Sequence, residues 1–102
     1  MKFLNQVVIA GYIGNIGDTK ATKAGSLMNF SLSFSNGKNK ENKTKYAFIN
    51  CTTFDDEVIE AVSAFGKKAK VLVTGRLAED SYTNKEGKEI RQLKMIVENV
   101  CQ

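Results

Sequence analysis

Phe48–Phe54, FINCTTF, sits inside the longer run Lys43–Glu57, KTKYAFINCTTFDDE. Side chains alternate faces along a strand, so Ala47, Ile49, Cys51 and Thr53 share one side and Tyr46, Phe48, Asn50, Thr52 and Phe54 share the other. The first set is small or apolar, as a core-facing side requires. The second interleaves three aromatic rings with amide and hydroxyl groups. Rings on a polar face need a reason outside the core.

The elements around this strand follow from periodicity. Asn5–Gly14, NQVVIAGYIG, reads as a first strand. Ser26–Asn36, SLMNFSLSFSN, reads as a second, with Met28, Phe30, Leu32 and Phe34 on its core side. A polar, lysine- and asparagine-rich loop, Asn36–Thr44, then leads into the third strand, Lys45–Phe54. Beyond Phe54 the period changes. Val58, Ala61, Val62 and Phe65 fall at i, i+3, i+4 and i+7, one stripe of a helix of about three turns. Thr53 is the expected N-cap with Asp56 three residues on, Asp55–Glu57 suit the positive end of the helix dipole, and Gly66 suits its close. The acids are thereby explained without catalysis. Lys70–Asn84 reads as a fourth strand, Lys85–Gly87 as a turn, and Lys88–Val100 as a fifth strand whose alternation is imperfect. No internal repeat or low-complexity segment is expected.

Three strands, one helix and two strands are the elements of an OB-fold, a partly open five-stranded barrel. The expected class is all-β with one helix, the helix between strands 3 and 4, in a single domain over residues 1–102.

Composition narrows the functions. The 102 residues contain no histidine and only two cysteines, Cys51 and Cys101, so neither a metal site nor a disulfide framework is expected. There is no P-loop, and the glycines of Gly11–Gly17, GYIGNIG, lack dinucleotide-fingerprint spacing and fit the bends of a barrel strand. An enzyme, a cofactor and a metal are therefore not expected. No apolar run approaches the roughly 20 residues that span a bilayer, and no signal-peptide block opens the chain. A cytoplasmic, nucleoid-associated location is the default. Net charge is +4, and it is segregated. Lys38–Lys45 carries four lysines against Glu41, Lys67–Lys70 carries three, and Asp55–Glu60 carries four acids. Segregated basic loops suit an anionic polymer.

Taken together, NQVVIAGYIG, FSLSFSN, FINCTTF with its acidic helix, and VTGRLAEDSYTNKEGKE resemble the bacterial and phage single-stranded DNA-binding proteins in order and spacing, from about Asn5 to Val100. The resemblance implies stacking aromatics on the third strand and in the last hairpin, which by motif position are Phe48, Phe54 and Tyr82. Every base has a π-face, so an outward ring stacks any of them, with Tyr46 beside it and Asn50 and Thr52 along the wet edge. Lys38, Lys40, Lys43, Lys45, Lys67, Lys85 and Lys88 would track phosphates. Phe48 and Phe54 have a competing reading as rings packed under a loop or in a subunit interface, Phe54 as a hydrophobic staple. Family tryptophans are replaced here by phenylalanine or tyrosine. Positions before the tyrosine that are often basic in the family are Ala78 and Asp80. The family's acidic-tipped tail has no counterpart before Gln102, so the reading is of a tail-less member or a DNA-binding domain, and repair proteins that read the tip are not expected as partners. The expected partners are single-stranded DNA and further copies of the chain, a tetramer ahead of a dimer, since an unpaired first strand would be an open edge. The alternative is an adaptor like primosomal replication protein B, binding single-stranded DNA and a helicase.

Overall fold

In the computed structural model, which describes residues 3–102, the chain runs β1 (Val7–Ile16), β2 (Lys20–Thr22), β3 (Gly25–Lys38), β4 (Thr44–Thr53), α1 (Asp56–Phe65), β5 (Lys70–Thr83) and β6 (Glu89–Cys101). Five long strands form a mixed barrel in the order β1-β5-β6-β4-β3, and β1 closes it by pairing with β3. Among the described residues only β4 and β6 pair in parallel, the chain passing from β4 through α1 into β5 before it returns as β6. The helix lies where expected, between the third and fourth long strands. The count shifts by one because Lys20–Thr22 folds back on Gly25–Leu27 as a short strand, too brief and too exposed to leave a periodic signal.

The core follows the alternation. Ile13, Met28, Phe30, Leu32, Cys51, Val71, Val73, Met95 and Val97 point inward and are buried. Val58, Ile59 and Val62 of α1 are buried with them, the helix packing on β6 and β3. Phe34 departs from expectation. It is only half-buried, because β3 has by then run out past the barrel toward its hairpin with β4. The polar run expected as a loop is also mostly strand. β3 continues to Lys38, with an irregularity after Ser35, and the loop proper is five residues, Asn39–Lys43.

The helix cap differs as well. Asp55, not Thr53, is the N-cap, its Oδ1 accepting from the Glu57 backbone N–H at 2.9 Å. Thr53 lies on the inward side of β4, fully buried, and its hydroxyl donates to the Val97 carbonyl at 3.0 Å. The same hydroxyl oxygen accepts from the Asp55 N–H at 3.3 Å, which orders the approach to the helix but reaches none of the helix's own N–H groups, and these are what a cap must satisfy. Gly66 closes the helix at φ 82°, with its N–H donating to the Val62 carbonyl.

Two adjustments fit β1 and β6 to the barrel. β1 has an irregularity between Ile13 and Ile16, within its glycine-rich stretch. In β6, Thr74 pairs with Asn99 but Gly75 pairs with Val97, so Glu98 is an extra residue, a bulge. Here β5 and β6 approach so closely that a Cβ on Gly75 would collide with the Ile96 carbonyl. The first strand is an open edge over only part of its length. Its second half pairs with β3 and its first half with β5, leaving Val7–Gly11 without a strand on the other side. Asn5 extends this pairing by its side chain, which donates to the Leu77 carbonyl at 2.8 Å and accepts from the Leu77 N–H at 2.9 Å.

Candidate nucleic-acid interface

The outward face of β4 carries Tyr46, Phe48, Asn50 and Thr52. Their register partners on β3 are Ser35, Ser33, Ser31 and Asn29. Serines cannot shield a neighbouring ring, so Phe48 is 73% exposed. Tyr46, and Phe54 just beyond the strand, are each about half exposed. Neither ring is packed under a loop of this chain to the degree a core residue would be. Thr52 departs from the wet edge expected of it. It is buried, its hydroxyl donating to Asn29 Oδ1 at 2.6 Å.

On the other flank, Thr52 is in register with Ile96 of β6, and β5 continues the same face with Arg76 opposite Ile96, Ala78 opposite Lys94, Asp80 opposite Gln92 and Tyr82 opposite Ile90. Ile96 explains the imperfect alternation of the last strand. It is buried although it faces outward, in register with Thr52 and Arg76, while Met95 and Val97 are buried in the core.

Two grooves cross this face. One, of about 430 Å³, is lined by Asn15, Ser31, Asn50, Thr52, Asp80 and Lys94 among others. A second, of about 590 Å³, is lined by Phe54, Arg76, Ile96 and Glu98. Lys94 Nζ lies 3.0 Å from Asp80 Oδ1, and Arg76 Nε lies 3.9 Å from Glu98 Oε1. Arg76 and Lys94 are thus two cations of the face absent from the sequence expectation. The signal was present, since every second residue back from Tyr82 shares its side of β5, and Arg76 is one of them.

The expected lysines divide into groups. Lys40 and Lys43 are on the β3–β4 tip, and Lys85 and Lys88 on the β5–β6 tip. Lys38 pairs with Thr44 and so lies on the side of Tyr46 and Phe48. Lys45 alternates to the opposite side, with Ala47 and Ile49, although it adjoins Tyr46 in sequence. Lys67 lies apart from both grooves, in the turn after α1, where the next residue's N–H donates to the Ile13 carbonyl of β1.

The two hairpin tips are the same device. Asn39–Lys43 reads NKENK and Asn84–Lys88 reads NKEGK. In each, the asparagine Oδ1 accepts from the N–H groups two and four residues on, at 2.9 and 3.0 Å. The fourth residue of each is left-handed, Asn42 at φ 64° and Gly87 at φ 80°. The two pentapeptides match at four of five positions, a shared turn chemistry and not an internal repeat of the chain. Each copy raises two lysines and one glutamate at the end of a long ribbon.

The chain matches the model of the single-strand binding protein family over residues 4–101. Among solved structures it is similar to the SSB of Plasmodium falciparum, solved in complex with ssDNA, at 19% identity and TM-score 0.79, covering 98% of this chain and 95% of that one. It is also similar to Rim1, a mitochondrial single-stranded DNA binding protein of S. cerevisiae, at 18% identity and TM-score 0.68, covering 99% and 95%. No curated protein matches its sequence significantly. The chain belongs to the single-strand binding protein family.

Proposed function

We propose that this member of the single-strand binding protein family binds single-stranded DNA without strong sequence preference, as one OB-fold binding domain, and protects it in replication, recombination or repair. The observation that carries the reading is Phe48, a ring 73% exposed between low polar neighbours on the outward face of the barrel. An exposed ring on a rigid strand stacks any base, and such stacking is sequence-tolerant. Phe54, Tyr82 and Tyr46 extend the platform. Asn50 offers both donor and acceptor to base edges. Lys38 and the lysines of the two tips, Lys40, Lys43, Lys85 and Lys88, serve the phosphates, with Lys45 and Lys67 peripheral to them. Members of the family are non-enzymatic. Labelled oligothymidylate, titrated with the protein and challenged with duplex or unlabelled single strands, tests the reading. Single strands should compete and duplex should not; equal competition by duplex overturns it, because a duplex hides the base faces.

The chain acts as a homo-oligomer, a tetramer ahead of a dimer. Val8, Tyr12 and Leu72 are exposed apolar residues that share the outer side of β1 and β5, where Leu72 pairs with Ala10, and Val7–Gly11 leaves strand edge open beside them. An exposed edge flanked by apolar side chains is what a second copy covers. Light scattering should report several subunits, and a monomeric mass at micromolar concentration removes this part of the reading.

A further inference from the structure

Lys94 is the one cation lining the smaller groove, and it is already occupied. Of the five ion pairs among the described residues, Lys94–Asp80 is the only one at hydrogen-bond distance, 3.0 Å against 3.5–3.9 Å for the others. It is also the only one whose basic side chain is largely shielded, 21% exposed where the other four are 51–76%. Surface pairs of the looser kind contribute little. A shielded ammonium held at 3.0 Å in a polar cleft is better defined, and its partner is a single carboxylate, 55% exposed and free to swing out toward water. A phosphate oxygen offers the same charge and the same acceptor geometry as that carboxylate.

We propose that Asp80 is a built-in phosphate surrogate, holding Lys94 until a phosphate of single-stranded DNA displaces it. The inference rests on the DNA-binding reading above and deepens it. Asn50 and Thr52 line the same groove, so a strand stacked on Phe48 passes the pair. On binding, Lys94 exchanges one anion for another and Asp80 is released facing the polyanion. The exchange therefore adds almost nothing to the salt dependence, since the counterion shed by the phosphate is replaced by one recruited to Asp80. Affinity is limited by the same step, because the displaced carboxylate is repelled by the strand. Asp80 thus keeps binding loose and exchangeable at the centre of the face.

The test is a double-mutant cycle on the full chain, with fluorescent oligothymidylate as the probe, anisotropy read across a salt series, and melting temperature on the same samples. Asp80→Asn should bind about three- to tenfold more tightly at low salt. Its log–log salt slope should steepen by roughly 0.7, one further phosphate. In a Lys94→Gln background the same Asp80→Asn change should give no steeper slope and only a small gain, since no ammonium remains to be released. The proposal is overturned if Asp80→Asn leaves affinity and slope unchanged, or if its gain persists undiminished beside Lys94→Gln, which would make Asp80 a general repulsive charge. If the unaltered chain does not bind the probe at all, the DNA-binding reading fails with it. If it binds in a Phe48-dependent way while Asp80→Asn has no effect, only this inference fails.

Discussion

Phe48 stands directly across from Ser33 in the β3–β4 ladder, and the pairing leaves the ring without a neighbour tall enough to cover it. Phe30, on the same ladder but opposite Cys51, is 4% exposed. Phe48→Ala should therefore cost about 1–3 kcal/mol in oligothymidylate binding with a nearly unchanged melting temperature. Phe30→Ala should instead cost roughly 3–5 kcal/mol of stability. A Phe48→Ala chain that melts far lower yet binds normally would mean that the two faces of β4 have been exchanged.

Lys38 and Lys45 are on opposite sides of the same hairpin, which separates proximity in sequence from proximity to the rings. Lys38→Ala should lower the log–log salt slope of binding by roughly 0.7, one phosphate's share. Lys45→Ala should change it less. Equal losses would show that the hairpin charges act together and not through one face.

At the helix start, Asp55→Ala removes the cap and should cost about 1 kcal/mol of stability. Thr53→Val leaves the buried Val97 carbonyl without its side-chain donor and should cost about 1–3 kcal/mol. Denaturant titration separates them from a reading in which Thr53 is the cap, since under that reading Asp55→Ala would be nearly silent.

The twin tips make a paired prediction. Gly87→Ala places a Cβ on a left-handed residue and should destabilise by about 1 kcal/mol, whereas Asn42→Gly should be neutral or slightly stabilising. Thermal melts of both variants check it, and a neutral Gly87→Ala would show that the turn has relaxed out of the left-handed conformation.

Burial pushes the Cys51 thiol up from 9.0 to about 12. In the unfolded chain it ionises at its ordinary value, so above about pH 9 the unfolded state binds fewer protons than the folded one. This contribution to stability is complete below that pH and falls as pH rises toward 12. Cys51→Ala should lose that part of the alkaline slope. In the native chain at pH 8 a thiol reagent should modify the exposed Cys101 and leave Cys51 intact until denaturant is added; prompt reaction of both would contradict the buried placement.

Period-two alternation over Tyr46–Phe54 and the 3.6 period after it, features of a few residues each, assigned the long strands, the helix and the inward and outward sides of β4. Local rules are enough there because a strand or helix side chain's direction is set by its own backbone. They failed where a residue had two uses and a distant partner chose between them. Thr53 could cap α1 or bond across the barrel, and the Val97 carbonyl 44 residues away took its hydroxyl. Ile96 looked misplaced until the bulge at Glu98 and the register with Thr52 put it under the outer face. Lys94 and Asp80, 14 residues apart in sequence, carry no local sign of being partners. The β5–β6 register sets Ala78 beside Lys94 and so brings Asp80 within 3.0 Å. The five long strands, the helix and the aromatic side of β4 were legible in contiguous segments, because each rests on local periodicity. Which charges share the groove with those rings was not, because register and barrel closure are properties of strand pairs and not of any strand alone.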